Sequence, residues 1–530
     1  MSNDGPSMTL STKRLKWPWW PLAASKKGRS MTTAPTTAST RFPEMDPARR
    51  FGMIIDGRST QAADGAVFRC FDPYEEAEWG YVPEASAHDV DRAVAAARAA
   101  QPAWAATSPF QRLALFQRWA ALVREHVAEI ARIQVHENGK TLTEMTLAMG
   151  SIANAIEFCA HYATTLHGDT VTPMMPGHRA WTTKVPVGVV AAITPWNNPI
   201  GLLGWKLFPA LAVGNAVIVK PSEVTPVSTI RLVELAVEAG FPPGVISVVT
   251  GAGAAGAALV EHEGIDKIAF TGSTATGRRI AQAAAGRLVR TTLELGGKGA
   301  NIVFADADLD RAVEGIVVGL TAGTGQACNA GSRVLVHEDI KDEVLERLTK
   351  ALAALPIGDP LDPGTAIGPI ASRPQYAKVC GYLDVAESES TTRLVAGGRR
   401  GAEPFGIARG LFVEPTLYET PDEQSRLRRE EIFGPVGSLI TFATDDEAVR
   451  IANESEYGLV GGLWTTDVDR ARRVSERLDV GVVWINTWRA FSGNVPFGGR
   501  KNSGVGHEMG LDLFDEYTHV KAYWLGPEGR

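Results

Sequence analysis

The chain has 530 residues, 45% hydrophobic and 21% charged, with a formal net charge of −7. That length supports about three domain-sized units with a large core, and the ordinary composition and mild acidity exclude a disordered polymer and a nucleic-acid binder. Four scattered cysteines, Cys70, Cys159, Cys328 and Cys380, exclude a disulfide framework or a metal site of Cys pairs and argue for a reducing, cytoplasmic setting, while no apolar run reaches the ~20 residues of a membrane span.

Residues 1–50 stand apart from the rest. The stretch from Ser30 to Thr40 is rich in Thr, Ala and Ser and is expected to be disordered. Before it, Lys13-Arg14-Leu15-Lys16-Trp17-Pro18-Trp19-Trp20 is basic and aromatic. It reads either as a contact for a membrane surface or partner, or as an unstructured extension behind a start codon placed too early. Order is expected from Phe51, with strands near 52–55 and 67–72. Helices follow over 87–100, 109–126, 127–137 and about 144–166, where Ala and Leu recur at helical spacing.

From Val187 the pattern changes. Apolar runs of buried-strand type at 187–193, 216–220, 245–249, 267–271 and 291–295 alternate with helical segments at 201–213, 227–238, 254–261 and 274–285. Five such runs predict a parallel, doubly wound sheet, which binds ligands in the loops after its strands. A second alternation runs from 297 to about 486. Its predicted helices lie at 340–354, 376–387, 445–453 and 468–478, and its strands at 334–336, 436–442 and 480–485. Segments 181–185 and 517–524 alternate as exposed strands do.

The loops after the strands carry the chemistry. In Thr194-Pro195-Trp196-Asn197-Asn198-Pro199, Pro199 suits a first helical position and Asn198 the cap before it, which leaves the Asn197 side chain for a pocket. Lys220-Pro221-Ser222-Glu223 could bond a sugar's hydroxyls or form a solvated ion pair. Phe270-Thr271-Gly272-Ser273-Thr274-Ala275-Thr276-Gly277 opens a helix whose N-terminus can meet a phosphate, but Arg278-Arg279 departs from the ATP-binding P-loop. Leu293-Glu294-Leu295-Gly296-Gly297-Lys298 puts a carboxylate between leucines; desolvated, it has a raised pKa and works as a general base. Gly325-Gln326-Ala327-Cys328-Asn329-Ala330-Gly331 surrounds one cysteine with small neighbours. That cysteine is open to substrate unless it is merely a buried structural thiol.

These loops, together with Glu431-Ile432-Phe433-Gly434-Pro435-Val436 and Pro496-Phe497-Gly498-Gly499, resemble in order and spacing the NAD(P)-dependent aldehyde dehydrogenase superfamily, from about Phe51 to Trp524. The resemblance implies an α/β fold. A Rossmann-like five-stranded NAD-binding domain would use residues 51–166 and 188–296, and an α/β catalytic domain 297–508. A β-strand oligomerisation arm would use 167–187 and 509–526, assembling a homodimer or homotetramer. It further implies Cys328 as nucleophile, Asn197 with the Cys328 N–H as oxyanion hole, Glu294 as base, and Lys206 either assisting proton transfer or snorkelling to solvent. Thr194, Trp196, Lys220, Ser222, Glu223, Gly272, Ser273, Leu295, Glu431 and Phe433 would hold NAD, with NADP less favoured. Asn198, Trp205, Ala327, Asn329, Trp488, Arg489, Phe491 and Phe497 would meet an aromatic or medium-sized polar aldehyde, with no metal. The acylating branch, which transfers to coenzyme A, generally lacks the glutamate, so Glu294 counts against it. The intact Cys328, Glu294 and Asn197 set counts against a binding protein without activity.

Overall fold

Five apolar runs build the first sheet. β1 (Val189–Ile193), β2 (Ala216–Lys220), β3 (Ile246–Val248), β4 (Lys267–Thr271) and β5 (Arg290–Glu294) are parallel, in spatial order β3-β2-β1-β4-β5. Every residue of β1, β2 and β4 is buried, which is why these strands read as continuous apolar runs instead of alternating. Side chains still sort by period two. Val190 and Ala192 join the core under the helices Pro109–Glu125, Leu142–Ala163 and Pro199–Ala212; Val189, Ala191 and Ile193 join the one under Ala87–Ala106, Gly253–Glu261 and Thr274–Ala285. The order reverses between β1 and β4, so the loops after these two strands flank the topological switch point where ligands bind.

This computed structural model describes residues 46–527, so the basic aromatic segment and almost all of the extension expected over 1–50 lie outside the described residues. Among the described residues the first sheet has eight strands: Met53–Ile55 and Arg58–Thr60 extend it antiparallel beyond β3, and Gly504–Val505 pairs antiparallel with β5. Met53–Ile55 lies in the strand expected near 52–55, while Arg58–Thr60 and Gly504–Val505 are two or three residues long, too short to show a period in the sequence.

A second sheet contains β6 (Ala300–Val303), β7 (Arg333–His337), β8 (Thr416–Glu419), β9 (Val436–Phe442), β10 (Val460–Trp464) and β11 (Val482–Ile485). They are parallel in the order β8-β9-β7-β6-β10-β11, with Arg393–Ala396 antiparallel on the outside of β8. The helix Leu309–Thr321 links β6 to the loop that carries Cys328. A third, antiparallel sheet joins Thr170–Val171, Arg179–Pro186 and Thr518–Leu525. No described helix is long and apolar enough to cross a membrane.

Candidate active site

The cysteine loop is held from three sides. After the helix Leu309–Thr321, Gly323, Thr324 and Gly325 take positive φ of 61°, 57° and 66°, ending the helical path. Gln326 then accepts a hydrogen bond from the Ala371 N–H through its side chain (2.9 Å), while its carbonyl accepts one from Asn197 Nδ2 (2.9 Å). Asn197, at the switch-point loop after β1, is thereby drawn to the residues just before Cys328. From the third side comes Gly297, where a Cβ would stand 2.2 Å from the Cys328 carbonyl oxygen, so only glycine allows this approach.

The Cys328 side chain is half-buried. Protein nevertheless encloses the sulfur closely, and burial pushes the thiol up to about 12, with the acids Glu431 and Glu294 adding to the effect and Arg489 opposing it. Glu294, the last residue of β5, is 3% exposed, and neither carboxylate oxygen has a hydrogen-bond partner. Burial holds its carboxyl well above the usual range, reinforced by Glu508 and countered by Lys206. Lys206 is fully buried, ion-paired with Glu508 and 2.5 Å from Thr271 Oγ1. That removes the snorkelling alternative. Glu508 is itself held above the carboxylate range by burial, against the pull of Lys206. Glu294, Lys206 and Glu508 thus form one buried electrostatic group beside the thiol.

The expected cofactor residues line the carboxyl ends of the first sheet and the facing loop. Thr194 is buried, with its hydroxyl unpartnered. The Trp196 ring meets Phe433 edge-on at 5.3 Å. Lys220 Nζ stands 3.8 Å from Glu223 Oε2; the lysine is buried and the glutamate about half exposed. Burial lowers the Lys220 pKa, while Glu223 and then Glu84 oppose the shift. Ser222 Oγ accepts from the Val224 N–H at 3.2 Å. Gly272 and Ser273 open the helix Thr274–Ala285, and Ser273 Oγ caps it by accepting from the Thr276 N–H. Leu295 packs on Gly277 of that helix. Glu431 Oε1 accepts from the Gly297 N–H at 2.9 Å, and burial raises its carboxyl.

The residues expected to meet substrate divide. Trp205, Phe491 and Phe497 form one aromatic group, with centroids 5.3 Å apart for Trp205–Phe497 and 5.7 Å for Phe491–Phe497. Ala327 is buried in the cysteine loop, and Asn329 Oδ1 accepts from Arg489 Nη1 at 3.2 Å. Trp488 lies behind the loop: its ring is buried across Gly319, Gly331 and Gly462, so it supports the loop from the core side. Asn198 occupies the cap position before the helix Pro199–Ala212, yet its side chain makes no capping bond. At φ −149°, ψ 67° its amide lies over Gly201 instead, with Oδ1 buried and unpartnered.

The aldehyde dehydrogenase family matches residues 60–523. The chain belongs to the aldehyde dehydrogenase family. DhaS of Bacillus subtilis is 42% identical over 482 residues, covering 90% of this chain and 96% of that protein. PnpE of Pseudomonas sp. WBC-3 is 40% identical with a TM-score of 0.88, covering 91% of this chain and 98% of that one. An NAD-dependent aldehyde dehydrogenase from Sinorhizobium meliloti is 39% identical with a TM-score of 0.89, covering 93% and 98%.

Within this aldehyde dehydrogenase fold, the sequence reading passed over Glu508, Thr271 as a lysine partner, Glu84 and Lys140. Only Lys140 had a nearby signal, since it follows the helix-ending Gly139. The others acquire their roles only from segments far away in the chain.

Proposed function

We propose that this aldehyde dehydrogenase oxidises an aldehyde to its carboxylic acid with NAD, using Cys328 as nucleophile and Glu294 as proton acceptor. The observation that carries the reading is Glu294. A buried carboxylate with both oxygens unpartnered is expensive to keep, and it sits close enough to raise the Cys328 thiol electrostatically.

The residues at the switch point suit a dinucleotide. A Cβ at residue 272 would stand 2.4 Å from the Phe270 ring, so Gly272 keeps the helix N-terminus open to a pyrophosphate. Lys220 and Glu223 can hold the adenosine ribose, and Glu431 with Phe433 the nicotinamide ribose. A structure of PnpE holds nicotinamide adenine dinucleotide, and bound NAD would supply the hydride acceptor.

The chain's own groups do the rest. Cys328 Sγ gives its proton to Glu294, which passes it toward Lys206 and Glu508 before Glu294 is needed again. The sulfur bonds to the aldehyde carbon, giving a thiohemiacetal. Its oxyanion lies between the Cys328 N–H and the second N–H of Asn197 Nδ2, the first being committed to Gln326. With the hydride gone, the carbon is a thioester. Glu294 then takes a proton from water as the oxygen attacks, the C–S bond breaks, the thiolate leaves and the acid departs. Lys206 and Glu508 beside Glu294 can pass the proton onward. We assign residues 51–166 and 188–296 to cofactor binding, 297–508 to catalysis, and 167–187 with 509–526 to assembly as a homodimer or homotetramer. The four free cysteines suit a reducing cytoplasm.

Two variants test the reading. Cys328→Ala should abolish NADH formation from any aldehyde while NAD still binds. Glu294→Gln should give one burst of NADH and then stall, with the acyl group found on Cys328 by mass spectrometry. Oxidation by Cys328→Ala within about tenfold of wild type, or full steady turnover by Glu294→Gln, refutes the roles.

A further inference from the structure

The loop after β11 delivers a guanidinium to the nucleophile. Two departures from ordinary backbone bracket it: Asn486 and Arg489 take φ of 53° and 59°, rare for residues other than glycine. Neighbours hold the loop in that shape. The Asn486 side chain exchanges two hydrogen bonds with the Thr465 backbone (3.0 and 2.9 Å), Arg311 Nη2 donates to the Asn486 carbonyl (2.8 Å), and Trp484 Nε1 donates to the Ala490 carbonyl (3.0 Å). Arg489 Nη1 donates to Asn329 Oδ1, one residue beyond the nucleophile. A second cation, Lys140, lies near enough to feel both Arg489 and Cys328.

The local carboxylate does not balance this pair. Glu144 acts on both cations, but its single negative charge offsets only one of them. Oε1 accepts from the Gly323 N–H at 2.7 Å, and Oε2 serves the capping box with Thr141. The aromatic group of Trp205, Phe491 and Phe497 offers no charge. A guanidinium fixed in strained backbone, with N–H groups beyond the one given to Asn329, is preorganised for a planar oxyanion.

Resting on the reading of Cys328 as nucleophile, we propose that the substrate is an aldehyde that also carries a carboxylate, which Arg489 binds while the carbonyl carbon lies at Cys328. Arg489 is then the residue that sets specificity, and Lys140 adds positive potential without touching the ligand. The product is a dicarboxylate, so the reaction that supplies the substrate must generate an oxo acid.

The test uses the full-length enzyme with NAD and a homologous series of unbranched ω-oxo acids, each against its methyl ester. Wild type should prefer the acid by at least about tenfold in kcat/KM for one or more members. Arg489→Gln should erase most of that preference, mainly by raising KM for the acid. Arg489→Lys should keep an intermediate part of it. Equal use of acid and ester across the series overturns the proposal, as does an Arg489→Gln variant that slows both equally, the mark of a group that serves the thiol instead. Cys328→Ala runs alongside. If it still oxidises the esters, the reading of the nucleophile has failed; if it is dead while wild type ignores the carboxylate, only the specificity has failed.

Discussion

As the proposed base, Glu294 sets a catalytic demand on one residue against stability. Its folded carboxyl is held above the ordinary range by burial and by Glu508. Below the ordinary carboxylate pKa the group is neutral whether folded or unfolded, and its burial carries no ionisation penalty. As pH rises, the unfolded chain ionises first, and stability falls by about 1.4 kcal/mol per pH unit until the folded carboxyl also titrates. Glu294→Gln cannot ionise. It should therefore raise the unfolding midpoint, by a margin that widens as pH rises above the ordinary carboxylate range. Denaturant or thermal melts over that rise check this, and a margin independent of pH contradicts it. Glu294 was visible in the sequence because a carboxylate between two leucines is a local anomaly. Glu508 was not, because its partner Lys206 lies 302 residues away and nothing near Glu508 announces it.

At the scale of elements, the end of β2 is the proposed determinant of which dinucleotide is used. Lys220 is one buried ammonium facing two carboxylates, Glu223 and Glu84. A ribose with a free 2′-hydroxyl fits that balance. A 2′-phosphate adds negative charge beside Glu223, and a few kcal/mol of repulsion corresponds to roughly a hundredfold preference for NAD by kcat/KM. Glu223→Ser should narrow the gap chiefly by improving NADP. A wild type that prefers NADP, or a ratio unmoved in the variant, shows that Glu223 does not face the ribose. The elements most legible in the sequence were those whose local pattern and packing agree: β2, β4 and the helix Thr274–Ala285 begin and end where the apolar runs and punctuation put them. β10 escaped because Gly461-Gly462 interrupts the apolar run of Val460, Leu463 and Trp464. Its glycines answer to packing instead: a Cβ at residue 462 would stand 2.6 Å from the Trp488 ring. β6 and β8, four residues each, were not expected.

For the whole molecule, the third sheet presents an open edge with exposed apolar side chains. Val520, Trp524 and Leu525 are exposed on Thr518–Leu525, and Trp181 stacks on Tyr523 across the pairing with Arg179–Pro186. Apolar side chains on an open antiparallel edge invite another chain. Light scattering should find the wild type as a dimer or tetramer, and Val520→Asp with Trp524→Asp should lower the mass while circular dichroism stays unchanged. A monomeric wild type rules the arm out as an assembly surface. The short strand Gly504–Val505 has a consequence for how the protein is made. It covers β5, the strand that ends in Glu294, yet it is translated roughly 200 residues later, after every strand of the second sheet. At typical elongation rates of roughly 5 to 20 residues per second, that edge waits on the ribosome for about 10 to 40 seconds. During that interval the nascent chain carries β5 with one side unpaired, the form a holding chaperone would grip and the form in which two ribosome-bound copies could join by mistake.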